Sequence, residues 1–170
     1  ATGDIRFRAR VDAVVDELAA VQASFGDGYV AAVPAGRKLF ADVAAGRIET
    51  ANFKLNGCWV PWYNLHKTLA GLLDARRWCG SAKAEAAFLG LAGWTERLLA
   101  RLTDDQVQAM LACEQGGMSE SLAEAWAITG DARFREAASR FGHRAILDPL
   151  ARGEDCLPRL HANTQIPKLV

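Results

Sequence analysis

Apolar residues recur along this chain at three- and four-residue steps, the period of a helix that buries one face. Phe7, Val11, Val14, Val15, Leu18 and Val21 predict one apolar face of a helix over about residues 4–24. Leu65, Leu69, Leu72 and Leu73, with Arg76 in register, predict a second helix over about 62–78. Phe88, Leu91, Ala92, Thr95, Leu98, Leu99 and Leu102 predict a third. A fourth carries Met118, Leu122, Ala125 and Trp126, and a fifth Phe134, Ala138 and Phe141. No stretch alternates with period two, so neither strand nor sheet is expected.

The connections repeat. Ala1-Thr2-Gly3-Asp4 opens the chain, Trp78-Cys79-Gly80-Ser81 is a variant, and Ile128-Thr129-Gly130-Asp131 recurs. Glycine supplies the left-handed residue that stops one helix, and aspartate or serine caps the next. Each therefore reads as the tight turn of an antiparallel helical hairpin. Gly80 and Gly130 are 50 positions apart, while Gly3 lies 77 before Gly80. The excess fits an insertion over about 25–57, with a short helix near Arg37–Ala45. Thr103-Asp104-Asp105-Gln106 is a capping box that opens one more short helix.

Hairpins at this period predict an all-α solenoid or a closed ring of hairpins. The expected organisation is a single piece, residues 1–170, of a longer helical barrel. It begins at a hairpin turn and ends near Thr164–Val170, where another helix begins. Its expected partner in folding is the rest of that barrel.

Composition narrows the function classes. Lysine plus arginine equal aspartate plus glutamate at 20 each, which gives no bulk charge for nucleic acid or an anionic membrane. No apolar run approaches the ~20 residues of a membrane helix. Cys58, Cys79, Cys113 and Cys156 are far apart, without a CxxC pair or a Cys/His cluster. They read as buried or partly buried thiols, and no metal site is expected in these residues.

Three loops precede the helices expected to line the inside of a ring: Asn56–Lys67, Cys113–Glu120 and Leu160–Lys168. Each mixes aromatic, amide, imidazole or carboxylate groups, the mixture that recognises a sugar's flat faces and hydroxyls. Trp59, Trp62 and Tyr63 suit either a core or a stacking surface. Glu120 and Glu124, one turn apart, suit a solvated or arginine-paired face. Gly116-Gly117 suits a helix entry or a close approach of ligand to backbone. His143, beside Phe141, reads as structural and is expected away from the ligand concavity.

The combination carries more than its parts. "VPWYNLHKTLAGLLDA", "EQGGMSESLAEAWAITGD", "RFGHRAILDPLARGED" and "LHANTQIPK" resemble, in this order along the whole chain, the bacterial β-L-arabinofuranosidase family of glycoside hydrolases. The resemblance implies an (α/α)6-barrel catalytic domain, and the wording of "LNGCWVPWYNLHK" implies the branch acting on plant-wall arabinose. It also implies a retaining mechanism in which a cysteine thiolate, held by zinc with other cysteines and a glutamate, attacks the anomeric carbon. A second glutamate is the acid and then the base. These residues are expected beyond residue 170, so no cysteine of this chain is assigned as nucleophile or ligand, and zinc is expected only in the complete enzyme.

What carries over is sugar binding, with an arabinose-containing glycan as the expected partner. His66 matches the family's "LHK" histidine, and Tyr63 stands one turn before it. Glu114 matches the glutamate of the family's "EHGGMNE". His161, Asn163 and Gln165 match its "HANTQ". Gln115 departs, standing where histidine is usual, as does Ser119 in place of asparagine. Two other readings stay open: a sugar epimerase or polysaccharide lyase with histidine bases, and a non-catalytic carbohydrate-binding helical module. A periplasmic or extracellular place is favoured over a cytoplasmic one.

Overall fold

The computed structural model describes residues 3–113 and 116–169. The long helices fall where the periodicity places them: α1 (Ile5–Phe25), α3 (Pro61–Cys79), α4 (Ala82–Leu99), α6 (Met118–Thr129) and α7 (Ala132–Arg140). Between them lie α2 (Gly36–Ala44), α5 (Asp104–Leu111), α8 (Arg144–Ala151) and α9 (Ala162–Gln165), with a 3-10 turn at Ile166–Lys168. The helix α8, Arg144–Ala151, was not anticipated; Pro149 interrupts its short apolar pattern.

The repeated turns have the expected chemistry. Gly80 and Gly130 are left-handed at φ 61° and 71°, and Ser81 and Asp131 then cap α4 and α7 through their side-chain oxygens. Gly3 has the same conformation, and Asp4 caps α1. Thr103 and Gln106 make both halves of the capping box at α5.

Two antiparallel hairpins result, α3 with α4 and α6 with α7. They stack side by side, α3 against α6 and α4 against α7, with α1 beside α3 and α4. This is an all-α arrangement of hairpins consistent with a toroid. Its core gathers Trp62, Leu65, Leu69 and Leu72 of α3, Phe88 and Leu91 of α4, and Met118 and Leu122 of α6, all at most 1% exposed. Trp62 is therefore core, T-shaped against Phe40 at 5.0 Å and Phe141 at 5.2 Å. Glu124 pairs with Arg77, as the arginine-paired reading of this face has it.

The apolar face read on α1 is only partly covered: Val15 is buried, but Phe7 and Val14 are 56% and 60% exposed. They border an open apolar groove of about 410 Å³ against Gly71, Leu72 and Ala75 of α3. Periodicity states which residues share a face and not whether a neighbour covers it.

The expected absence of strands fails. The insertion carries a three-stranded antiparallel sheet of β1 (Thr50–Ala51), β2 (Lys54–Leu55) and β3 (Cys58–Trp59). Two-residue strands are too short to display an alternation. The missed signal was the turn. Asn56 and Gly57, at φ 48° and 76°, are the paired left-handed residues of the tightest hairpins, for which Asn-Gly is the favoured dipeptide.

Candidate functional site

The N-terminal parts of α3 and α6 meet, and the end of α9 with the following 3-10 turn docks beside them. Gly117, at φ 111°, is the N-cap of α6, and the ring of His66 on α3 packs directly against it. A Cβ on Gly117 would stand 2.4 Å from His66 Cε1. On Gly116 it would stand 2.4 Å from Lys168 Cγ. The Gly116 amide also donates to the Thr164 carbonyl at 3.3 Å. The glycine pair thus joins the three loops, because only a backbone without side chains admits both neighbours.

Beside this junction opens a cavity of about 510 Å³. Phe53 enters from the β1–β2 turn, Cys113 from the end of α5, and His143 and Ile146 from the start of α8. The final segment supplies Arg159, His161, Thr164, Gln165 and Lys168. Phe53 and His161 meet edge to face at 5.6 Å and 83°. Phe53 and Arg159 both hold positive φ, 58° and 70°, a strained backbone for residues that bear a side chain.

His143 was expected away from this concavity, and the structure overturns that. Its side chain lines the same cavity as His161. The reason is a clamp that the sequence does not reveal. Gln108 of α5 donates from Nε2 to the Gly142 carbonyl and accepts from the Arg144 amide, both at 2.9 Å, and so fixes the residue between them. His143 is buried and its Nδ1 lies 2.8 Å from Lys168 Nζ. An ammonium group only donates, so Nδ1 accepts. Burial first, and then the charge of Lys168, push His143 down to about 4. Burial, with Lys67 adding to it, also lowers His66.

The expected sugar-binding residues divide. His161 and Gln165 share the cavity. His66 does not line it and is linked to it through the glycine pair. Tyr63 is half-buried, with the Lys67 ammonium 5.4 Å from its ring, and Asn163 is exposed; neither lines the cavity. Glu114 and Gln115 lie outside the described residues. Two buried polar atoms in this region, His66 Nδ1 and Gln165 Oε1, have no hydrogen-bonding partner among the described residues. Such atoms are rare in a folded protein, and a ligand hydroxyl or a water could complete the network there.

Chemically, the described lining offers imidazole, amide and cationic groups around one aromatic face, which suits a polyhydroxylated ligand. Among the described residues, no three of His, Cys, Asp and Glu stand together to hold a metal ion. The thiols of Cys113 and Cys156 lie against the carbonyls of Met110 and Ile146 within their own stretches of chain. The described residues therefore do not fit a zinc–thiolate centre, and no step through zinc is assigned to them.

Among the described residues, no helix is long and apolar enough to cross a membrane. No curated protein matches the chain. The sequence profile of the family described as "Beta-L-arabinofuranosidase, GH127 catalytic domain" matches residues 1–170. With the motifs, the hairpin architecture and this full-length match in agreement, the chain belongs to the GH127 β-L-arabinofuranosidase catalytic-domain family.

Proposed function

We propose that this chain supplies the sugar-binding wall of a retaining glycoside hydrolase that releases β-L-arabinofuranose from plant-wall-type glycans or glycoconjugates. The observation that supports it most is the cavity beside the joined helix ends. Phe53 offers an apolar ring face there, His161 an imidazole and Gln165 an amide oxygen without a partner among the described residues. A furanose presents one apolar face and several hydroxyls, and this set matches both at once. His66, Glu114 and Gln115 belong to the same reading: His66 is held beside Gly117, and Glu114 and Gln115 directly precede the glycine pair in sequence. Tyr63 and Asn163 belong to the outer part of the proposed sugar site.

Binding is the contribution of these residues, and bond cleavage belongs to groups other than the four cysteines. The barrel closes, on this reading, through further helical hairpins packed beside these. Hydrolysis of an aryl β-L-arabinofuranoside and its α-anomer by the complete gene product tests the activity. Release from the β-anomer alone is expected. No release from either, in a folded protein, removes the reading.

A further inference from the structure

The sheet of the insertion presents an aromatic pair that the cavity alone does not account for. Trp59 is 61% exposed, yet its ring centroid lies 5.5 Å from that of Phe53, tilted by 55°. Phe53 in turn meets His161 and lines the cavity. Trp59, Phe53 and His161 therefore form an unbroken series of rings from solvent to the sugar pocket.

Backbone conformation is spent on this arrangement. Phe53, Asn56 and Val60 all hold positive φ, at 58°, 48° and 40°. For the β-branched Val60 that is strained, and residues held this way concentrate where a ligand is bound. Val60 follows Trp59 directly, and its amide donates to the Phe53 carbonyl at 2.8 Å, so the strain holds the two aromatic residues in register. Folding itself calls for no tryptophan here. The strand partner of Trp59 is the exposed Lys54, and most of the indole faces water.

A protein partner would find no continuous apolar patch around this ring, because Asn52, Lys54 and Gly57 beside it are all exposed. A sugar ring, with an apolar face and a hydroxylated edge, suits an aromatic platform set among polar groups. From Trp59's continuity with the pocket through Phe53, we infer that Trp59 is the stacking platform for the second sugar of the substrate, the unit to which the terminal arabinofuranose is joined. It is thus a specificity-determining residue for glycans over simple glycosides. This rests on the function proposed above.

The test compares Trp59→Ala and Trp59→Phe with the unaltered complete gene product on two substrates. One is methyl β-L-arabinofuranoside, the other a disaccharide ending in β-L-arabinofuranose. In Trp59→Ala, kcat/KM for the disaccharide is expected to fall roughly fivefold to tenfold, through KM, as a lost stacking contact gives. Turnover of the methyl glycoside stays unchanged, and Trp59→Phe recovers most of the loss. An unchanged disaccharide KM in Trp59→Ala overturns the platform and leaves the proposed function standing. An equal loss on both substrates also overturns it, because the residue then serves the fold or the first sugar. If the unaltered protein turns over neither substrate, the proposed function itself fails, and the platform with it.

Discussion

The imidazole of His66 lies against the α-carbon of Gly117, so close that a Cβ there would stand 2.4 Å from Cε1 and 2.7 Å from each ring nitrogen. Helix α3 and the entry to α6 approach each other through this contact, and the third loop docks on the neighbouring Gly116. The geometry of the proposed sugar site depends on two residues having no side chain.

Gly117→Ala therefore faces two penalties at once, a left-handed φ of 111° and a collision with a buried ring. A loss of about 2–4 kcal/mol is expected, more than the ~1–3 kcal/mol of backbone strain alone. Gly130→Ala isolates the strain, because nothing lies within 4 Å of a Cβ there. Urea unfolding of both variants checks this. Equal losses would show that His66 moves aside freely.

Trp59 and Trp62 are three residues apart and differ in kind. Trp62 is 1% exposed between Phe40 and Phe141, so Trp62→Ala is expected to cost about 3–5 kcal/mol. Trp59→Ala should change stability by less than about 1 kcal/mol. Thermal unfolding of both variants distinguishes them.

His143 gives the stability a pH dependence of known sign. Burial holds its folded value at about 4, below the ordinary 6.5, so the folded state disfavours the proton. The contribution is fully present above about pH 6.5, declines as pH falls and is gone below about pH 4. His66 is displaced in the same direction. His143→Gln, which keeps an acceptor for Lys168 and cannot titrate, should flatten the curve between those limits. Urea midpoints measured across this range provide the check. An identical pH profile in the variant would assign the dependence elsewhere.

His161→Ala and Gln165→Ala address the pocket. His161 is exposed, so its removal should leave the unfolding midpoint nearly unchanged. Each variant is expected to weaken binding of a β-L-arabinofuranoside by about 1–2 kcal/mol, the usual worth of a hydrogen bond to a ligand hydroxyl. KM should rise at least as clearly as kcat falls, because the contact is available in ground and transition states alike. Steady-state kinetics of the complete gene product measure this, and an unchanged KM in both variants would empty the cavity of its proposed ligand.

The long helices were legible from the sequence because each is a local matter. The period of Leu65, Leu69 and Leu72 sets a face, Gly80 stops α3, and Ser81 caps α4. The family was legible too, since its motifs are strings of adjacent letters. Long-range placement was not. Periodicity could not say that Phe7 and Val14 stay uncovered, because that depends on which helices flank α1. The strands at Thr50–Trp59 are too short to alternate, though Asn56-Gly57 announced one of their turns.

For the proposed site, the three loops could be named from their residue types, but not how they divide. His143 looked structural by its neighbour Phe141, yet Gln108, 35 positions earlier, clamps the backbone around it and puts its side chain in the cavity with His161. His66 was singled out for its motif, yet among the described residues it meets that region through Gly117, at the entry to another helix. A sequence determines the local preferences of each segment. Which side chains converge is decided by packing between segments far apart in the chain, and only the tertiary structure contains that.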